Sequence, residues 1–280
     1  MSSTAKTRYA ILLAYDGTDF CGWQIQRGVG RHENPKPSIE GSLVSAIQKL
    51  CEENVTVTSS GRTDAGVHAS GQVAHFDLEE SADRFSDENL RRGLNDRLPE
   101  SIRIHRLGTV PNSFNAKRSV RKQYSYYFQQ GPTNLPQLRD FTMWNRELLK
   151  GDLMRDSIES LIGEHDFLPF GSTSGDAQIS STVREIFEAE LTREPIPLPG
   201  CFDPEHHFLW RLRIAGSGFL KQMVRGIAGT LKQIGEGRRP ADYFATILEK
   251  QDRNLVGPTA PASGLWLDKV EYSPEDEQPF

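Results

Sequence analysis

The run Gly61-Arg62-Thr63-Asp64-Ala65-Gly66-Val67-His68, continued by Gly71-Gln72-Val73-Ala74-His75-Phe76, constrains this chain more than any other stretch. Glycines on both sides of Asp64 ask for a backbone that bends sharply or lets another segment approach closely, which residues carrying a Cβ do only at a cost. The alternating residues that follow read as a strand. The chain must therefore turn, lift a single carboxylate out of the regular ladders, and run straight into sheet. An aspartate so placed can serve the turn itself, its oxygens bonding nearby N–H groups, or it can serve chemistry. Spacing alone leaves both open.

The remaining segments alternate between strand and helix signals. Tyr9 to Tyr15 reads as a buried strand stopped by the turn pair Asp16-Gly17. Ser38 is placed to cap a helix in which Ile39, Leu43, Ile47 and Leu50 recur at helical spacing, and Val55 to Thr58 resumes strand character before the turn. A helix over Asp87 to Arg97 and a strand over Ile102 to Leu107 follow. The second half repeats this outline. It predicts strands at Tyr124–Gln129, Val183–Thr192 and Phe208–Ala215, helices at Leu153–Ile162, Phe219–Ile234 and Tyr243–Glu249, and a closing strand at Gly264–Tyr272. Such a succession predicts an α+β layout of largely antiparallel sheet with helices covering one face. The domain plan is a disordered tail over 1–7, an N-terminal lobe over 8–110 carrying the Asp64 turn, a C-terminal lobe over 111–272 and an acidic tail over 273–280. The proline- and glycine-bearing stretches 27–37 and 194–206 read as surface loops.

Composition excludes several classes. With 280 residues and 36% hydrophobic content the chain can bury a core. No apolar run reaches the length of a membrane span and the first eight residues lack a signal-peptide centre, so the expected location is the cytoplasm. Cys21, Cys51 and Cys201 lie far apart without a CxxC pair, which speaks against both a disulfide framework and a zinc site. His68 and His75 are spaced wrongly for a metalloprotease helix, and no metal is expected. The net charge of −5 argues against a polyanionic partner until its distribution is read. Lys117, Arg118, Arg121 and Lys122 gather just before an aromatic strand, while acids crowd Asp77 to Glu88 and the C-terminal tail, which predicts a local basic cleft.

Two further segments can carry chemistry. Lys122-Gln123-Tyr124-Ser125-Tyr126 alternates so that Tyr124 and Tyr126 share a strand face, an arrangement that also suits plain core. Gly216-Ser217-Gly218-Phe219-Leu220-Lys221-Gln222-Met223-Val224-Arg225 leads into a helix with Lys221, Arg225 and Lys232 on one side, which also fits an amphipathic helix with a wet basic face. Gly-Ser-Gly before a helix suggests phosphate binding, but the Gly-Lys-Ser/Thr and dinucleotide fingerprints are missing, so no cofactor is expected.

The octapeptide around Asp64 with its Gly-Gln-Val extension, the Gly22-Trp23-Gln24 motif, the Tyr-x-Tyr strand, Met223-Val224-Arg225 and the closing Gly264-Leu265-Trp266-Leu267 resemble the TruA family of tRNA pseudouridine synthases. The resemblance implies two similar lobes whose sheets join around a central cleft. It implies isomerisation of uridine to pseudouridine in the anticodon stem-loop of tRNA, with no cofactor, by a homodimer in which one tRNA contacts both subunits. It assigns Asp64 as the catalytic carboxylate and Arg225 as the arginine that reaches it. Tyr124 would pack on the target base, Arg62 would enter the space left by the everted nucleotide or hold phosphates, and Lys221 would contact phosphate. A guanidinium beside a buried aspartate favours its ionised form and fixes the direction of its oxygens. A noncatalytic RNA-binding module on the same scaffold and a glycoside hydrolase are the alternatives. The second needs two placed carboxylates, and only Asp64 stands in such a turn.

Overall fold

A computed structural model of the chain describes residues 6–25, 36–79, 85–172, 181–198, 203 and 205–274. These fall into two compact units: residues up to Val120 with those from Leu267 onward, and Arg121 to Trp266.

In the first unit, strand β1 (Lys6–Tyr15) leads to helix α1 (Ile39–Cys51), then to strands β2 (Thr58–Ser59) and β3 (His68–Glu79), helix α2 (Asp87–Asn95) and strand β4 (Ile102–Val110). β1 lies between β3 and β4 and is antiparallel to both, with Tyr9 opposite Phe76 and Ile11 opposite Leu107. Ser38 caps α1, its hydroxyl accepting from Gly41 N–H at 3.0 Å. The apolar spacing buries Ile39, Leu43 and Ile47 completely, each contributing about 2–3 kcal/mol. α2 is tied to the neighbouring strand by Asn95, whose amide both donates to Ile104 O and accepts from Ile104 N–H at 2.9 Å. This serves backbone groups that an edge strand would otherwise leave open.

The second unit contains β5 (Arg121–Gln130), β6 (Met143–Asn145), α3 (Gly151–Ile158), β7 (Gly163–Asp166), β8 (Val183–Glu194), β9 (Phe208–Gly216), α4 (Met223–Gly235) and α5 (Tyr243–Lys250). β5, β9, β8 and β7 pair in that order, all antiparallel, while the short β6 runs parallel to β5. α4 is buried nearly all round. Gly229 permits this: a Cβ there would lie 1.8 Å from Pro258 O, so the helix backbone presses directly on the segment before the last strand. That strand, β10 (Leu265–Glu271), has all but its first two residues in the first unit, where it lies beside β3. A Cβ on Gly71 would meet Asp268 O at 2.1 Å.

The mixed architecture and the antiparallel pairing agree with the α+β reading, and several bounds are corrected. Lys6 and Thr7 belong to β1, opposite Glu79 and Leu78, so the tail read as disordered over 1–7 does not include them; residues 1–5 lie outside the described residues. The chain divides after Val120, where the sequence reading drew its line at 110, and its end returns to the first unit. The cause is long-range hydrogen bonding: Val120 N–H donates to Glu271 O at 2.9 Å and the Tyr272 hydroxyl to Ala116 O at 2.9 Å. α4 starts at Met223, four residues after the expected Phe219, because Gln222 takes a left-handed φ of 63° and Met223 N–H closes a turn on Leu220 O. Of the expected loops, 27–35 lies outside the described residues, as do 199–202 and 204. Glu194 ends β8, and Ile196 and Leu198 pack on Leu135, Leu138 and Leu209, so this part of the second stretch is a core satellite. The acidic tail from 275 onward is likewise outside.

Candidate active site

The Asp64 turn is fixed from several directions within the first unit. Val67 N–H closes on Asp64 O at 3.2 Å with Gly66 at φ 77°, the pattern of a turn that requires glycine at its third position. Below it, Gly22 has φ 104°, and a Cβ there would stand 2.7 Å from Thr63 O and 3.0 Å from the Asp64 carbonyl carbon. Trp23 N–H donates to Thr63 O at 3.0 Å. On the other side a Cβ on Gly17 would meet Val67 O at 2.0 Å, and Gly17 N–H donates to Nδ1 of the wholly buried His68 at 3.1 Å. The same nitrogen lies 3.2 Å from Asp16 Oδ1.

A buried polar chain holds the approach to the turn. Gln72 donates to Gly61 O at 2.9 Å and to the Tyr15 hydroxyl at 3.4 Å, and its carbonyl accepts from Ser60 Oγ at 2.7 Å. Tyr15 and Thr63 share a hydrogen bond of 2.9 Å. Burial pushes the Tyr15 phenol up to about 12, against the pull of its bonds to Thr63 and Gln72, so it stays protonated. The Thr63 hydroxyl and the Gly61 carbonyl beside Asp64 are thus hydrogen-bonded, and such networks rigidify what they surround. Asp64 is half-buried and Arg62 is exposed.

In the second unit, Tyr124 lies mid-strand on β5, 7% exposed, with its ring edge-to-face against Phe219 at 5.1 Å. Tyr126 shares the face, as the alternation predicts, but is pure core: it is fully buried, its hydroxyl donates to Pro261 O at 2.8 Å, and burial raises its pKa. Arg225 sits in the first turn of α4. Its Nε donates to Ala260 O at 2.8 Å while Ala260 N–H donates to Arg225 O at 3.1 Å, a two-way clasp that sets the direction of the guanidinium. Lys221 is exposed in the turn before the helix, with its carbonyl accepting from Ser172 N–H at 2.9 Å. The wet basic helix face drawn from periodicity is not found. α4 is almost wholly covered, Lys232 pairs with Glu236, and Lys221 precedes the helix.

The structure therefore assembles Asp64 and Arg62 in one unit and Tyr124, Lys221 and Arg225 in the other. Sequence reasoning missed Tyr15, Thr63, Gln72 and His68 as supports; their signal was present in the same motifs, but hydrogen-bond direction is not legible from order. The cation run before β5 does not act as one patch. Lys117 and Arg118 sit in a short turn of the first unit, whereas Arg121 pairs with Glu188 at 2.8 Å on one face of β5 and Lys122 takes the other. Among the described residues no cluster of His, Cys, Asp or Glu could hold a metal ion, and no helix is long and apolar enough to cross a membrane.

Comparison with known proteins identifies the family of the chain. A family model described as tRNA pseudouridine synthase matches residues 11–117 and 158–273. A tRNA pseudouridine synthase A from Limosilactobacillus reuteri (strain DSM 20016) is 38% identical over 275 residues, covering 97% of this chain and 99% of the relative. One from Lactococcus lactis subsp. cremoris (strain SK11) is 36% identical over 274 residues, with 97% and 99% covered. Another from Chloroflexus aurantiacus (strain ATCC 29366 / DSM 635 / J-10-fl) is 38% identical over 266 residues, with 95% and 88% covered.

Proposed function

The chain belongs to the tRNA pseudouridine synthase family and is an isomerase of that kind, and from that premise we propose that it converts uridine to pseudouridine in the anticodon stem-loop of tRNA, with Asp64 as the catalytic carboxylate. The observation that carries this reading is the immobilised turn around Asp64. Two glycines that admit no Cβ and a saturated polar network are spent on presenting one half-buried acid. Preorganisation of that kind lowers the barrier of a reaction at the presented group.

In the reaction the N1–C1′ bond breaks, the uracil turns, and a C5–C1′ bond forms. C5 gives up its hydrogen and N1 gains one, so composition is unchanged and no redox partner is required. The base must first leave the stack to reach a side chain. We assign Arg62, exposed two residues from Asp64, to the space the nucleotide vacates or to its phosphates. Tyr124 confines the detached base, its ring held by Phe219 at 5.1 Å. Arg225, fixed by Ala260, is the guanidinium that holds the carboxylate in direction, and Lys221 meets the RNA backbone. A carboxylate at this position can attack C1′ or the base, or take the proton from C2′. The assembly we propose is a cytoplasmic homodimer that binds one tRNA across both subunits.

Asp64→Asn tests the reading. The expected variant folds and binds tRNA as before, and tritium release from tRNA carrying 5-tritiated uridine disappears. Turnover near that of the parent would remove Asp64 from the chemistry. Release of free uracil by the parent would replace the isomerase with a hydrolase.

A further inference from the structure

Lys122 and Arg184 lie on one side of the second unit's sheet, where the described residues offer neither a carboxylate partner and the Arg184 charge acts on Lys122. β5 places Lys122 opposite Gly216 of β9, and Gly216 lies opposite Ile186 of β8. Arg184, two residues before the buried Ile186, projects to the same side as Lys122, Tyr124 and Tyr126. Between the two cations runs Gly216-Ser217-Gly218. A Cβ on Gly218 would stand 3.6 Å from Arg184 Nε, and one on Gly216 would meet Glu185 O at 2.5 Å, so the loop keeps a low profile beneath both charges. Arg184 spends Nη1 on the carbonyls of Ser181 and Val183 at 2.9 and 2.6 Å. Glu185 and Glu188 are exposed on the opposite face, the latter paired with Arg121. Among the described residues neither Lys122 nor Arg184 has a carboxylate partner. Burial, with Arg184 adding to it, holds the Lys122 ammonium down to about 8. Two cations gathered in a partly covered site without an anion oppose folding, and the arrangement becomes favourable when a ligand supplies the negative charge.

We propose that Lys122 and Arg184, around the Gly216–Gly218 loop, bind a backbone phosphodiester of the RNA strand beside the nucleotide held on Tyr124. This rests on the RNA-modifying function proposed above and adds a subsite to it. Phe219, which closes on Tyr124, directly follows the loop, so a phosphate seated over Gly218 lies one step along the chain from the aromatic pair.

The experiment measures equilibrium binding of an unmodified tRNA transcript between about 50 and 300 mM salt, the range in which phosphate contacts respond steeply. Lys122→Met should weaken binding about tenfold at low salt and make the plot of log affinity against log salt shallower by about one ion. Lys122→Arg should restore both. Parent affinity should also fall as pH rises from 7 to 9, roughly the range in which a lysine of depressed pKa discharges, and that fall should be absent from Lys122→Arg. Thermal melts of the free proteins separate a structural role, because removal of an uncompensated cation leaves Lys122→Met at least as stable as the parent. Unchanged affinity and salt slope in Lys122→Met, or an affinity loss that accompanies a lower melting temperature with the slope intact, overturns the site. If the parent modifies the transcript while Lys122→Met is indistinguishable from it, only this subsite falls. If the parent neither binds nor modifies the transcript, the function itself falls with it.

Discussion

Gly22→Ala asks whether the Asp64 turn is held by the close approach beneath it. The new Cβ would lie 2.7 Å from Thr63 O and 3.0 Å from the Asp64 carbonyl carbon, on a residue whose φ is 104°. Neither neighbour is the end of a flexible side chain: both are backbone, and Thr63 O already accepts from Trp23 N–H at 3.0 Å. A side chain in a left-handed conformation costs about 1–2 kcal/mol, and forcing a methyl group into packed surroundings adds about 1–3 kcal/mol. A total near 3 kcal/mol corresponds to a melting point lowered by roughly 6–12 °C. The catalytic consequence should exceed the thermal one. To relieve the contact the Thr63–Asp64 peptide must move by most of an ångström, and a displacement of about 1 Å at a reacting group can cost on the order of a hundredfold in rate. Differential scanning fluorimetry and tritium release on the same preparation provide the two readings, taken at a temperature where the variant is fully folded. Gly17→Ala, with its Cβ 2.0 Å from Val67 O on the far side of the turn, should behave likewise. Normal melting and normal turnover in Gly22→Ala would refute the claim that this contact positions the acid.

Other outcomes follow from the same geometry. Gly229→Ala would put a Cβ 1.8 Å from Pro258 O and push α4 away from the segment that clasps Arg225; a loss of about 3 kcal/mol in urea unfolding, with turnover reduced beyond it, is expected. Arg62→Ala should reduce the rate of pseudouridine formation with little change in melting temperature, because the side chain is exposed; an unchanged rate and unchanged tRNA affinity would count against its role. His75 is buried, accepts from Ala116 N–H at 3.2 Å, and is held down from 6.5 to about 4 by burial, with Arg8 and Lys117 adding to the effect and Asp77 opposing it. Its folded pKa lies below the unfolded one, so the stability it contributes is complete above pH 6.5 and is lost as pH falls toward about 4. The loss should be about 1–3 kcal/mol, and His75→Gln should flatten that part of a urea midpoint series run between pH 7 and about 4.5.

What was legible in the sequence is what depends on neighbours along the chain. Ser38 as a cap, Ile39-Leu43-Ile47 as a buried stripe and the strand after the Asp64 turn all appear where the pattern puts them, because each is decided within a turn or two of backbone. Tyr124 and Tyr126 share a face as alternation demands, yet only partners distant in sequence tell their roles apart: Pro261 takes the hydroxyl of Tyr126, and Phe219 meets the ring of Tyr124. The late start of α4 has the same origin. Helical periodicity runs on through Phe219, but Gln222 in a left-handed conformation and a turn closed on Leu220 override it. The return of the last strand to the first unit was not readable at all, since it is settled by Gly71 against Asp268 and by Tyr272 against Ala116.

Charge shows the same limit and explains how an acidic chain can hold a polyanion. Read in order, Arg121 and Lys122 belong to one basic cluster; folded onto β5 they part company, since successive side chains of a strand point to opposite faces. On the outer face of the second unit's sheet the arginines are matched strand by strand, Arg121 with Glu188, Arg213 with Glu190 and Arg211 with Glu194. Those pairs are partly exposed and contribute about 0–1 kcal/mol each to stability, but they cancel the field on that side. The face that carries Tyr124 keeps Lys122 and Arg184 without carboxylates among the described residues. Net charge averages over both faces, and an RNA strand bound at the proposed site meets only one. Charge reversal at Glu190 should therefore leave tRNA affinity nearly unchanged, whereas a carboxylate introduced by Gly218→Asp, 3.6 Å from Arg184 at its Cβ, should weaken binding about tenfold or more by supplying in cis the negative charge proposed to come from the RNA. Equal effects of the two substitutions on affinity would show that the protein responds to its total charge and that the sorting by face has no part in recognition.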